Sequence, residues 1–219
     1  MDSTLVTMLL EGTKDTVYMT LVSTVFGYVL GLPLGIILTI TDKDGITPNA
    51  GIYNILDVLV NLLRSIPFLI LLILVIPLTR FLVGKSYGST ATIVPLVIAA
   101  APFIARMVES SLKEVDKGVI EAATSMGAST WTIITKVLLA EAKTSLLVGV
   151  TIVLGTILGY SAMAGAVGGG GLGDIAIRYG YYRYQTDIMI VTIVILVILV
   201  QILQGIGMMI SKKLDHRRV

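Results

Sequence analysis

Gly168, Gly170 and Gly173 are the first residues whose spacing suggests chemistry, because they spell G-x-G-x-x-G, the turn that cradles a dinucleotide's phosphates. That fingerprint needs a preceding strand and a βαβ unit, and here a long apolar run precedes it. No Lys followed by Ser or Thr closes the glycines, so a Walker cradle is also excluded. The other reagents are few. The chain has no cysteine, which removes thiolate chemistry and disulfides. His216 is the single imidazole and stands among Lys212, Lys213, Arg217 and Arg218, where it is a poor metal ligand. No Ser/His/Asp set and no carboxylate pair within an apolar run occurs, so neither an intramembrane enzyme nor an ion-coupled carrier finds its groups. Whatever energy drives this chain must come from outside it.

The elements that would position any site are membrane helices. Of 219 residues 55% are hydrophobic and 14% charged, with mean hydropathy +0.94 and net charge +2, whereas soluble domains carry roughly a quarter charged residues. The basic residues are dispersed over loops and ends, which is not a nucleic-acid footprint. Met1-Asp2-Ser3-Thr4 lacks a basic n-region, so no cleaved signal peptide is expected. Residues 16–40, 56–82, 90–110, 144–163 and 186–210 are each long and apolar enough to be expected as spans, which need about 20 residues. In the first, Gly27, Gly31 and Gly35 recur every four residues and predict close helix packing. In the second, Arg64 must snorkel or pair, and Asp57 on the same helix is the expected partner, a lock at the inner face; a ligand contact is the other reading. Pro95 and Pro102 predict kinks in the third, and Arg106 with Glu109 an ion pair along the helix. Thr151, Gly155, Gly159 and Met163 share one face of the fourth. That face predicts tight packing or, if it meets its copy in a second subunit, a narrow pathway with Met163 as the constriction. Residues 165–174 read as a flexible outer loop or a re-entrant corner, followed by an aromatic belt at Tyr179, Tyr181, Tyr182 and Tyr184. Gln201 and Gln204 are expected to hydrogen-bond other helices.

Residues 113–141 break the apolar pattern. Val115, Val119, Ala122 and Met126 fall at i, i+4, i+7 and i+11, which predicts a helix with those residues on one face. Lys117 and Glu121 support it from the charged side. Gly127 stands where a helix ends with left-handed backbone. Ser129 or Thr130 then caps a second short helix whose expected apolar face is Trp131, Ile134 and Leu138. The product is a protruding helix-turn-helix bracket.

Glu121-Ala122-Ala123, then Gly127, then Val137 and Leu139, resembles the EAA loop of ABC-importer permeases, with Ala140 where that family carries proline. Arg64-Ser65-Ile66-Pro67-Phe68 and residues 160–182 resemble the methionine-type members. The resemblance implies an all-α polytopic fold of the type I importer class, a single domain over 1–219 with five spans and a cytoplasmic coupling loop. It implies that Val119, Glu121, Ala122, Ala123, Met126 and Gly127 couple to ATPase subunits, and that Tyr160, Ser161 and Met163, with Gly155 and Gly159, line or gate the path. The implied partners are ABC ATPase subunits carrying ATP and Mg, a second copy of the chain, an extracytoplasmic solute-binding protein and a small amino acid, D- or L-methionine. The chain itself is expected to hold no cofactor and no metal, and no nucleic acid is expected as a partner.

Charge orients the bundle. With the C-terminus inside, eleven of the sixteen Lys and Arg residues fall at the cytoplasmic face and five (Lys14, Arg80, Lys85, Arg178, Arg183) outside, which predicts N-out, C-in in a bacterial cell membrane and puts the bracket in the cytoplasm. Uptake of another small solute, or a polytopic scaffold without transport, are the alternative readings.

Overall fold

Where lipid surrounds a chain, its backbone must satisfy its hydrogen bonds internally, and each apolar stretch here does so as helix. The computed structural model describes residues 3–214; the readings made on Met1, Asp2, His216, Arg217 and Arg218 lie outside the described residues. The order is α1 (Ser3–Thr41), α2 (Ala50–Ser65), α3 (Phe68–Leu74), α4 (Ile76–Val83), α5 (Ser89–Lys113), α6 (Lys117–Ser125), α7 (Thr130–Thr132), a π-helical turn (Ile133–Leu138), α8 (Leu139–Glu141), α9 (Lys143–Ala164), a 3-10 turn (Gly165–Val167), α10 (Gly171–Ile175), a second π turn (Ala176–Tyr181) and α11 (Thr186–Leu214).

Among the described residues four helices are long and apolar enough to cross a membrane, and a fifth span exists if the pair α2–α3 is one broken span. The second span is therefore not the continuous helix expected over 56–82. Pro67 forces Ile66 into extended backbone (φ −79°, ψ 123°) and lacks the N–H the helix would need, so the chain bends by 102° there. Beyond the bend, α4 continues to Val83 and stops at Gly84 in the left-handed region (φ 79°). The first span is longer than 16–40, because residues 3–15 stay helical and Leu9 packs with Leu172 and Ile175. In the region of Ala140 the chain stays helical through α8 and turns only at Ala142, so the absent proline leaves a nearly continuous run into α9.

The bundle has two ends. Thr41, Lys113 and Lys143 lie at the bracket end, and the N-terminus of α5 with the C-terminus of α9 lies at the other. α1 and α5 form its centre. A Cβ at Gly31 would stand 2.7 Å from the Ala101 carbonyl oxygen and one at Gly35 2.6 Å from that of Ala105, so the glycine stripe brings the two backbones together as expected. Buried threonines of α1 are satisfied within the helix, Thr20 and Thr24 donating to Thr16 and Thr20 carbonyls. α11 is the outlier, with Ile190, Val194, Val197 and Ile198 exposed along its length.

At the far end the glycine run is a packed re-entrant corner, not a flexible loop. Gly173 lies against the backbone of Ala162, and Gly165 against that of Gly173 and Asp174, with no room for a Cβ at either. The Gly169 amide donates to the Ala164 carbonyl at 2.9 Å, the Gly88 amide to the Gly168 carbonyl at 2.9 Å, and the Leu172 amide to Thr16 Oγ1 at 2.9 Å. Arg178 closes the corner on Asp174 at 2.6 Å.

Candidate functional site

The bracket is built by two caps and one turn. The Asp116 carboxylate accepts the Gly118 amide at 2.6 Å and starts α6, while Ser129 Oγ accepts the Thr132 amide at 3.2 Å and starts α7. Between them Gly127 takes φ 78°, which lets the Ala128 amide reach back to the Ala123 carbonyl at 3.1 Å and the Gly127 amide to that of Thr124 at 2.9 Å.

The apolar face foreseen for α6 is reversed. Ile120 and Ala123 turn inward against Ile133, Ile134 and Leu138, and Val115 is buried just before the helix begins. Val119 (42% exposed), Ala122 and Met126 (81% exposed) face out beside the exposed Glu121. Trp131, expected inside with Ile134 and Leu138, is 72% exposed. A helix this short has room for one buried stripe, and α6 fills it with Ile120 and Ala123. The outward face thus carries a large flexible thioether and an indole in water, the kind of patch that marks an interaction site.

An alternating chain of charges fastens the bracket to the bundle. Arg106 pairs with Asp57 and with Glu109 at 2.6 Å; Lys113 pairs with Glu109 at 2.9 Å and with Asp42 at 2.6 Å; Lys117 lies 3.8 Å from Asp44. Asn61 Nδ2 donates to Asp57 at 3.1 Å, and Lys113 also sits 5.7 Å from the centre of the Tyr53 ring. The expected pair Arg106–Glu109 is present. The expected pair Arg64–Asp57 is not, because Arg106 of α5 takes that carboxylate across the helix interface. The Lys113 ammonium, by hydrogen bond and charge, holds the Asp42 carboxyl below the usual carboxylate range. Beside this chain a groove of about 670 Å³ runs between α6 and the end of α1 with the turn that follows it (residues 39–46), with Glu121 on its wall.

The candidate path residues do not share one surface. Thr151 is buried against Gly207, and Gly155 faces the Gln204 side chain of α11, so the lower half of their stripe packs within the chain. Its upper half is open: a Cβ at Gly159 would meet nothing within 4 Å, and Met163 is 48% exposed. Ser161 is buried and donates to the Leu158 carbonyl at 2.8 Å. Tyr160 stacks on Phe68 of α3, ring centres 4.6 Å apart and planes 3° from parallel. Sequence reasoning missed Phe68, Ile120 and the Asp42–Lys113 pair. Arg106, Glu109 and Lys113 at i, i+3 and i+7 could have flagged the charged face of α5, but not its partners on other elements.

Several helices long and apolar enough to cross a bilayer, with a buttressed polar bracket at one end, are the architecture of a membrane permease component. The family model described as "Binding-protein-dependent transport system inner membrane component" matches residues 31–216. The chain belongs to that family and is a multi-pass, non-catalytic inner-membrane component of an ABC transporter. It is 52% identical over 210 residues to a protein of Vibrio cholerae named a probable D-methionine transport system permease protein, covering 96% of this chain and 93% of that one. It is 46% identical over 211 residues to the methionine import system permease protein of Bacillus subtilis, covering 96% and 95%. Among solved structures, a chain of an inward-facing MetNI methionine ABC transporter superposes with TM-score 0.97 at 48% identity, covering 99% of this chain and 100% of that one.

Proposed function

We propose that this chain is the membrane-spanning subunit of an ATP-driven importer, that it works as a homodimer, and that its solute is a small amino acid, methionine. The methionine assignment is supported by the named relatives, which match nearly the whole chain. The coupling assignment rests on one observation: Met126, Trp131 and Val119 are held out into solvent on a bracket whose small core is Ile120 and Ala123 against Ile133, Ile134 and Leu138.

Two ATPase subunits, which carry the ATP and Mg, dock on Val119, Glu121, Ala122, Met126 and the turn at Gly127. Ala123 packs the helix against the bundle behind them. The bracket lies in the cytoplasm with the C-terminus, and the corner and N-terminus lie outside, where a solute-binding protein delivers its cargo. Closure of the ATPases on ATP draws the two brackets together. Only Glu114, Val115 and Asp116 separate α5 from α6, and the charge chain ties α5 to α2 and to the 41–49 turn, so a displaced bracket moves spans rather than stretching a linker. Gly159 and Met163, on the uncovered part of α9, face the path near its outer end, and Tyr160 with Ser161 braces them.

Expression of the tagged chain with its genomic neighbours, followed by purification and uptake of radiolabelled methionine into proteoliposomes, tests this. The reading expects a co-purifying Walker-motif ATPase and uptake only with ATP and the binding protein. Recovery of the chain with no ATPase partner favours a scaffold, and uptake without nucleotide hydrolysis refutes the importer.

A further inference from the structure

A second cavity, of about 330 Å³, opens between α2, α5 and α9 near the bracket end, a size within the usual range for small-ligand sites. Its lining falls into three chemistries. Phe103, Met107, Val148 and Ile152 form an apolar wall. Ser111, Ser145 and Glu114 form a connected set of acceptors, Ser145 Oγ lying 2.9 Å from Ser111 Oγ and 3.3 Å from the Glu114 carboxylate. Two guanidinium groups, Arg64 and Arg106, supply positive charge. They are not equivalent. Arg106 is consumed by Asp57 and Glu109, whereas Arg64 has no ion-pair partner among the described residues.

Building on the importer reading, we infer that this cavity is an exit-side site for a zwitterionic amino acid, with Arg64 taking the carboxylate. A guanidinium binds a carboxylate through two parallel N–H donors, and an unpaired one beside an apolar wall is an incomplete half of such a pair. The Ser111–Ser145–Glu114 set accepts hydrogen bonds from an ammonium group and carries the opposite charge. Phe103 and Met107 offer a soft surface to an aliphatic or thioether side chain. The solute is held there loosely, since the cavity opens to solvent and release must follow. Pro67, which breaks the second span, puts Arg64 at the end of α2 in the last turn before the bend.

Arg64 is exposed and makes no internal contact that its loss would orphan, so its variants should fold. In proteoliposomes containing the complete transporter and binding protein, Arg64→Gln is expected to lower the ratio of solute moved to ATP hydrolysed by about tenfold or more, the loss of a bidentate charge-assisted pair. Arg64→Lys keeps the charge without the fork and restores the ratio only in part. Glu114→Gln lowers the ratio in the same direction. An Arg64→Gln transporter whose ratio matches wild type overturns the site, and so does one in which uptake and hydrolysis fall in step with no recovery by Lys, which marks a purely mechanical role. A wild-type complex that moves no solute removes the importer reading itself, a result separable from either.

Discussion

The corner at 165–175 and the bracket at 113–141 are both glycine-punctuated reversals at the ends of membrane helices, yet they use glycine for opposite purposes. In the corner Gly165 and Gly173 face backbone atoms with no space for a side chain, and the surrounding amides are bound to Ala164, Gly168 and Thr16. In the bracket Gly127 has open space around it and is needed only for its left-handed φ of 78°. The first reversal is closed upon itself. The second keeps its core small and leaves Met126 and Trp131 in water. Packing density therefore separates a corner that fixes the bundle from a bracket whose binding face is unfinished until a partner covers it.

Substitutions test that contrast. The largest effect is expected from Gly173→Val, which drives a branched side chain into the Ala162 backbone and should cost more than about 4 kcal/mol; fluorescence size-exclusion in detergent should show loss of the monodisperse species. Gly127→Val adds about 1–2 kcal/mol of backbone strain in an open site. It should leave insertion and monodispersity intact while the yield of the ATPase complex falls, and an unchanged complex yield would refute the turn's role in docking. Trp131→Ala should weaken partner affinity about tenfold, as loss of an exposed aromatic anchor does, with the melting temperature of the isolated chain unmoved; a lowered melting temperature would place the indole in the fold instead. The smallest effect concerns Asp42. Its carboxyl is held low in the folded state by Lys113, so its contribution is present above the ordinary carboxylate pKa of about 3.9 and is lost as pH falls through the depressed value. The melting-temperature difference between wild type and Asp42→Asn should be constant from neutral pH to about pH 5 and vanish in stronger acid. A difference that persists there would deny the ion pair its role.

Features carried by local rules could be read from the residues. The long apolar runs, the glycine stripe of α1, the Arg106–Glu109 pair and the Gly127 turn all follow from spacing along a single helix or from one residue's allowed backbone. What could not be read depends on which element lies across. Spacing pairs Asp57 with Arg64 on its own helix, because nothing in the order of residues says that Arg106 stands closer. The faces of α6 were exchanged because a period of 3.6 identifies stripes without saying which meets the bundle, and Ile120 with Ala123 fits the available depth while Met126 does not. Trp131 fell outside for a related reason: the π turn at Ile133–Leu138 rotates successive side chains away from the α-helical spacing used to place it. The flexible alternative for the glycine-rich residues failed since glycine content signals close approach as readily as looseness, and contacts with α1, α5 and α9 decide between them.

The alternating chain Asp42–Lys113–Glu109–Arg106–Asp57 has a consequence for how such a protein can change over generations. Glu109 is shared by two cations and is almost wholly buried, at 4% exposure. Losing either neighbour leaves a desolvated anion half-neutralised, so a single replacement anywhere in the middle is costly. Exchanging the whole set together, in α5, α2 and the 41–49 turn, is the change that leaves no buried charge unpaired.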